Sequence, residues 1–166
     1  MQQLVLTVLG QDRPGLVEEL SSVILDHHGN WLASNLSHLA GKLAGIVQVE
    51  VAEEHLKELQ DALQQSPHLE IRIESGDKLA NDTPECLNLA ITGNDRPGIV
   101  QELAAVIRHK GANITHLTSK QQSAPNWGSP LFSAVATVTL PAGMQRDVVI
   151  DALESITPDV IVDIES

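Results

Sequence analysis

One eleven-residue stretch occurs twice in this chain. Residues 10–20 read GQDRPGLVEEL and residues 93–103 read GNDRPGIVQEL, an offset of 83. The correspondence runs outward in both directions. Leu4, Leu6 and Val8 match Leu87, Leu89 and Ile91, and Leu16, Val17, Leu20, Val23 and Ile24 match Ile99, Val100, Leu103, Val106 and Ile107. Within 166 residues, such a repeat requires two small modules in tandem and excludes a single medium-sized domain. Two copies are too few for a solenoid. At the far end, IRIES (71–75) resembles IVDIES (161–166) at an offset near 91, so the second copy carries about eight extra residues in its middle. The segment 121–130, QQSAPNWGSP, is rich in turn formers and is the natural place for them. Trp127 is therefore expected on a loop. The polar stretch 76–85, GDKLANDTPE, reads as a linker, which predicts domains at 1–75 and 86–166.

Each copy reads as β-α-β-β-α-β. The first strand alternates Leu4, Leu6, Val8 (Leu87, Leu89, Ile91) with mixed residues, the period of a strand with one face on a core. A helix follows, with apolar residues at spacings of three and four that form one stripe. Gly29 and Gly111 are placed where a helix C-terminus calls for a left-handed residue. A second strand follows Asn30 or Asn113. The third is IVQVEVA (46–52) or AVATVTL (134–140). The second helix carries Leu56, Leu59 and Leu63, or Val149, Leu153 and Ile156, and LEIRIES or VIVDIES closes the copy. Two helices on one face of a four-stranded antiparallel sheet make an α+β, ferredoxin-like module. Modules this small bury a modest share of their surface and gain from pairing, within the chain or as a homodimer.

Composition narrows the function. Twenty-two acidic against ten basic residues give a formal charge of −12. Phosphate contacts dominate nucleic-acid affinity and need clustered cations, so direct binding of DNA or RNA, or of an anionic membrane, is not expected. Trp31, Trp127 and Phe132 are the only aromatic residues, and the strands LVLTVL and VQVEVA, where RNA-binding modules of this topology would stack bases, hold none. Cys86 is the only cysteine, which forbids an intrachain disulfide and fits a cytoplasmic location. The sequence shows no leader-like start and no apolar run of membrane-spanning length. It also lacks a nucleophile elbow, a P-loop and a zinc-protease pair. The adjacent His27 and His28 diverge by about 100° on a helix and cannot share an ion. No enzyme activity, metal or cofactor is expected.

The repeated Asp12-Arg13-Pro14-Gly15 and Asp95-Arg96-Pro97-Gly98 lie between the first strand and the first helix. Proline suits a first helical turn, and the aspartate is positioned to cap it. Glycine permits close backbone approach. The amides that follow carry the positive end of the helix dipole and can receive a carboxylate without a basic side chain. The aspartate or a loop carbonyl can accept from an ammonium group. A free amino acid carries both groups.

The module pattern, the D-R-P-G-[LI]-V-x-E-L run and the G-N or G-A-N element before the second strand together resemble the ACT domain. The tandem arrangement is similar to that of ACT-domain repressors of bacterial glycine cleavage. That resemblance implies a small amino acid as ligand, glycine among the candidates, and regulation exerted through a transcriptional activator protein without a direct grip on DNA. It also implies a ligand held by the strand-one to helix-one loop of one module and the start of strand two of another. By matching position this assigns Gln11, Asp12, Gly15, Leu16 and Asn30 in the first copy, and Asn94, Asp95, Gly98, Ile99 and Asn113 in the second. The second copy matches the pattern more closely. The rival reading is an interaction module of paired sheets with no small ligand.

Overall fold

The computed structural model describes residues 1–77, 84–123, 130–156 and 158–165. It divides into two compact units, residues 1–80 and 81–166. The first unit runs β1 (Gln2–Gln11), α1 (Leu16–Asp26), β2 (Asn30–Leu39), β3 (Lys42–Val51), α2 (Glu53–Gln64) and β4 (Glu70–Ser75). The second repeats the order as β5 (Cys86–Asn94), α3 (Ile99–His109), β6 (Asn113–Gln122), β7 (Leu131–Thr139), α4 (Arg146–Glu154) and β8 (Ile161–Ile164). Each unit forms a four-stranded antiparallel sheet, in the orders β2-β3-β1-β4 and β6-β7-β5-β8. This is the expected tandem ferredoxin-like α+β architecture. Among the described residues, no helix is long and apolar enough to cross a membrane.

Alternation selects the buried face. Leu4, Leu6 and Val8 of β1 and Val47, Val49 and Val51 of β3 point into the first core, against Leu16, Leu20 and Ile24 of α1 and Leu59 and Leu63 of α2. The second core repeats the pattern with Leu87, Leu89 and Ile91 of β5 against Ile99, Leu103 and Ile107 of α3 and Val149 and Leu153 of α4. Both cores are aliphatic but for Phe132. Leu56 and Ile156 pack from the rim, and Ile156 lies just beyond α4.

Three local details differ from the sequence reading. The left-handed residue closing α1 is His28 (φ 63°), not Gly29, whereas α3 uses Gly111 (φ 77°). Both ends are Schellman motifs. Gly29 N–H donates to Ile24 and His28 N–H to Leu25, and Ala112 N–H donates to Ile107 and Gly111 N–H to Arg108. His28 is thus the counterpart of Gly111. Gly29 is needed for space: an added Cβ would stand 2.9 Å from the Ile24 side chain and 3.2 Å from Leu59. Second, β3 and β7 begin at Lys42 and Leu131, earlier than their apolar runs. Third, Gln121 and Gln122 belong to β6, so only the later part of the turn-rich stretch can lie outside the sheet. Trp127 falls outside the described residues.

Candidate functional site

The D-R-P-G loops have a specific geometry. Gly15 (φ 90°, ψ 1°) and Gly98 (φ 88°, ψ 0°) take the values of the third residue of a type II turn, and proline precedes each. In the second unit the closing bond is present, Ile99 N–H to the Arg96 carbonyl at 3.3 Å. Pro14 and Pro97 therefore serve the turn and do not open the helix, since α1 and α3 begin at Leu16 and Ile99, one residue past the glycine.

The expected aspartate cap does not form. Neither helix N-terminus receives a side-chain hydrogen bond. The type II turn carries each aspartate away from the helix axis, and its backbone N–H instead extends the sheet ladder. Asp12 N–H donates to Gly41 and Asp95 N–H to Pro130, both at 3.0 Å. The first-turn amides remain uncapped, with only the acidic Glu18 and Glu19, or Glu102, to complement the dipole.

Each aspartate is held from the far end of the second strand. His38 of β2 approaches the Asp12 carboxylate at 3.3 Å. In the second unit, the Gln121 side-chain amide donates to Asp95. Positions 38 and 121 differ by the same 83 residues that relate the loops, so one structural brace is built from two different side chains. Sequence reasoning missed both residues, because the register of β2 and β6 shows no clear alternation. The repeat offset was the signal that could have found them.

Arg96 forms a bidentate pair with Glu102, its Nη1 donating to Oε1 at 2.8 Å. The hydrogen bond from Arg96 is the main cause that holds the Glu102 carboxyl below the ordinary carboxylate range, and the same bond raises the Arg96 guanidinium. In the first unit, the corresponding Glu19 is engaged by His68 Nδ1 at 3.1 Å.

The sequence-assigned residues fall into two groups within each unit. Gln11, Asp12, Gly15 and Leu16 cluster at one end of the first sheet, as do Asn94, Asp95, Gly98 and Ile99 in the second. Leu16 and Ile99 are buried in their cores, so only their backbone amides can serve a ligand. Asn30 pairs with Glu50, which pairs with Gln3, whereas Gln11 pairs with Lys42. Asn113 shares a row with Thr139 and Cys86. Eight strand residues therefore separate the loop from the asparagine in one unit, about 27 Å, too far for a single amino acid to touch both. Among the described residues, no three histidine, cysteine or acidic side chains converge as a metal site would require.

Each unit, a βαββαβ module with a D-R-P-G turn between its first strand and first helix, has the architecture of an ACT domain. Residues 2–74 match the ACT domain family model, so the first unit is an ACT domain, and the second unit repeats its strand order. Over nearly its whole length it is similar to the crystal structure of an unknown protein from Galdieria sulphuraria, with 30% identity, 99% of this chain and 97% of that one covered, and a TM-score of 0.84. It is also similar to a protein named provisionally as a glycine cleavage system transcriptional repressor, with 16% identity, 99% and 96% coverage and a TM-score of 0.73. At that identity the second likeness is one of fold. A comparison with curated proteins finds no match.

Proposed function

We propose that the chain is an amino-acid-responsive regulatory protein and not an enzyme. On this reading a small zwitterion, glycine among the candidates, docks its carboxylate on the uncapped amides after Gly98 or Gly15. Its ammonium is received by Asp95 or Asp12 or by a nearby loop carbonyl. Asn30 and Asn113 serve a ligand held by the loop of another module, as the family resemblance implies. The protein then represses a pathway of amino-acid metabolism, glycine cleavage being the candidate, by engaging a transcriptional activator in the cytoplasm.

The observation that carries this reading is the pairing of an uncapped helix N-terminus with a braced carboxylate on the same loop, in both units. Those are the two poles that a free amino acid requires. The provisional name of one structural neighbour, to which the likeness is one of fold, makes glycine cleavage the pathway to test first. Calorimetric titration of the full chain with each of the twenty amino acids tests the ligand. Heat from one small amino acid that Asp95→Ala and Asp12→Ala together abolish is the expected result, and no binding by any of the twenty would overturn it. Gel shifts at low salt should show no complex with DNA, because a chain of charge −12 repels it.

One observation favours the rival reading, an interaction module without a ligand. The face of the first sheet away from the helices exposes Ile46 by 50% and Leu9 by 45%. Retention of full partner capture by the double aspartate variant, with no amino acid bound, would select that reading.

A further inference from the structure

The two D-R-P-G loops share their arginine and their first-turn glutamate but not the way these are used. Arg96 and Glu102 correspond to Arg13 and Glu19 at the offset of 83. A third position completes the comparison. Val8 pairs with Ile71 and Ile91 with Val162, so the residue three places earlier is His68 in the first unit and Asp159 in the second. Contacts to the equivalent glycines confirm the match. A Cβ on Gly10 would meet the His68 carbonyl, and a Cβ on Gly93 would meet Asp159.

In the second unit this position is an anion. Asp159 accepts from the Asn94 N–H at 2.8 Å, and its charge acts on Arg96 together with that of Glu102. The guanidinium is thus bonded to Glu102 on its own helix, with the charge of Asp159 also acting on it. In the first unit the position is an imidazole. His68 Nδ1 lies 3.1 and 3.3 Å from the two Glu19 oxygens and takes the carboxylate that Arg13 would otherwise claim. Among the described residues, Arg13 is left with no acidic partner, the ion pairs being those of His38, His55, His68, Arg96 and Arg146.

We propose that position 68/159 selects the partner of the first-turn glutamate and thereby decides whether the loop arginine is committed or free. His68 and Asp159 are positioning residues: His68 acts on the loop through Glu19, and Asp159 acts through the Asn94 amide and the charge it presents to Arg96. The repeated motif therefore yields one loop with a mobile guanidinium and one with a fixed guanidinium. A bidentate guanidinium–carboxylate pair has defined planar geometry. It restrains the guanidinium, whereas a solvated arginine rotates freely, so the difference is visible in solution without any ligand.

Nitrogen-15 NMR of the arginine side chains in the full chain at pH 6 and low temperature reads it directly. Arg96 should show separate, restrained Nη–H signals and Arg13 averaged ones. His68→Asp should give Arg13 restrained signals, and Asp159→His should cost Arg96 its own. Averaged Arg13 signals persisting in a folded His68→Asp variant would overturn the proposal. Glu19→Gln provides a second decision if either exchange fails to fold: averaged Arg13 signals in the parent, unmoved by Glu19→Gln, support the selector. Restrained Arg13 signals that Glu19→Gln abolishes refute it.

Discussion

Replacing Gly98 by alanine separates the turn from everything else the loop does. The residue sits at φ 88°, where a side chain of L configuration is strained, and an added Cβ would meet no atom within 4 Å. The cost is therefore conformational and not steric. Left-handed backbone costs a non-glycine residue about 1–2 kcal/mol. Against this, alanine lowers the entropy of the unfolded chain, which returns about 0.4–1 kcal/mol. The net expectation is a loss of about 1 kcal/mol. For a unit of this size that lowers the melting temperature by roughly 4–8 °C. Gly15→Ala should cost the same, since its φ of 90° and open surroundings match. Gly98→Asn provides the control, because asparagine tolerates the left-handed region and should recover part of the loss. Differential scanning calorimetry of the full chain reads all three variants. An unchanged or raised melting temperature in Gly98→Ala would mean that the type II turn is not required, and the reasoning would fail.

Asp95→Ala removes a hydrogen bond to Gln121 but no helix cap, so it should cost only about 0.5–1 kcal/mol in urea denaturation. Gln121→Ala should reproduce that loss, and the double variant should add little. Gly10→Ala and Gly93→Ala should differ sharply although the positions are equivalent. The first places a methyl 2.6 Å from the His68 carbonyl and 2.9 Å from the Leu69 side chain, and overpacking of this kind costs about 1–3 kcal/mol. The second meets the buried Val160 at 3.3 Å, a contact that needs an adjustment of only a few tenths of an ångström, and should lower the urea midpoint less than the first. The Glu102 carboxyl is held below its ordinary range by Arg96, so in acid the unfolded chain binds the proton first and stability rises with pH. Its contribution is complete above the ordinary carboxylate range and is lost as pH falls through the lowered value. Glu102→Gln should flatten the acid limb of a stability–pH profile measured by circular dichroism.

The parts legible in the sequence were those written in short-range periodicity. Leu4, Leu6 and Val8 alternate because one face of β1 meets the helices, and the stripe of Leu16, Leu20 and Ile24 follows from the pitch of α1. What escaped was either a choice between two local uses of one residue or a contact between distant segments. Asp12 and Asp95 stand where a cap belongs, but the type II turn displaces them, and no spacing rule distinguishes the two outcomes. At the end of α1 the sequence HGN offers a glycine, yet His28 takes the left-handed conformation because Gly29 must pass close to Ile24 and Leu59. The braces to the loop come from residues 26 to 49 positions away, and a strand with a bulge between Trp31 and Ala33 conceals which side chains share a face.

Comparison of the two copies also sorts the motif by cause. Pro14 and Gly15, like Pro97 and Gly98, are fully accounted for by the turn, so their repetition is no evidence of a ligand. The glutamate is retained with different partners, His68 in one unit and Arg96 in the other, each of which gives it a structural use. The aspartate likewise keeps its place while its partner changes. It caps nothing, and its partner is an imidazole in one unit and an amide in the other. Here the carboxylate persists while the group that steadies it changes, so what the two loops have in common is an oriented negative charge beside an uncapped helix. The functional reading therefore rests on Asp12 and Asp95 and not on the better-known proline and glycine between them and the helix. A titration in which both aspartates are removed, with turn and fold intact, is the measurement on which that reading stands or falls.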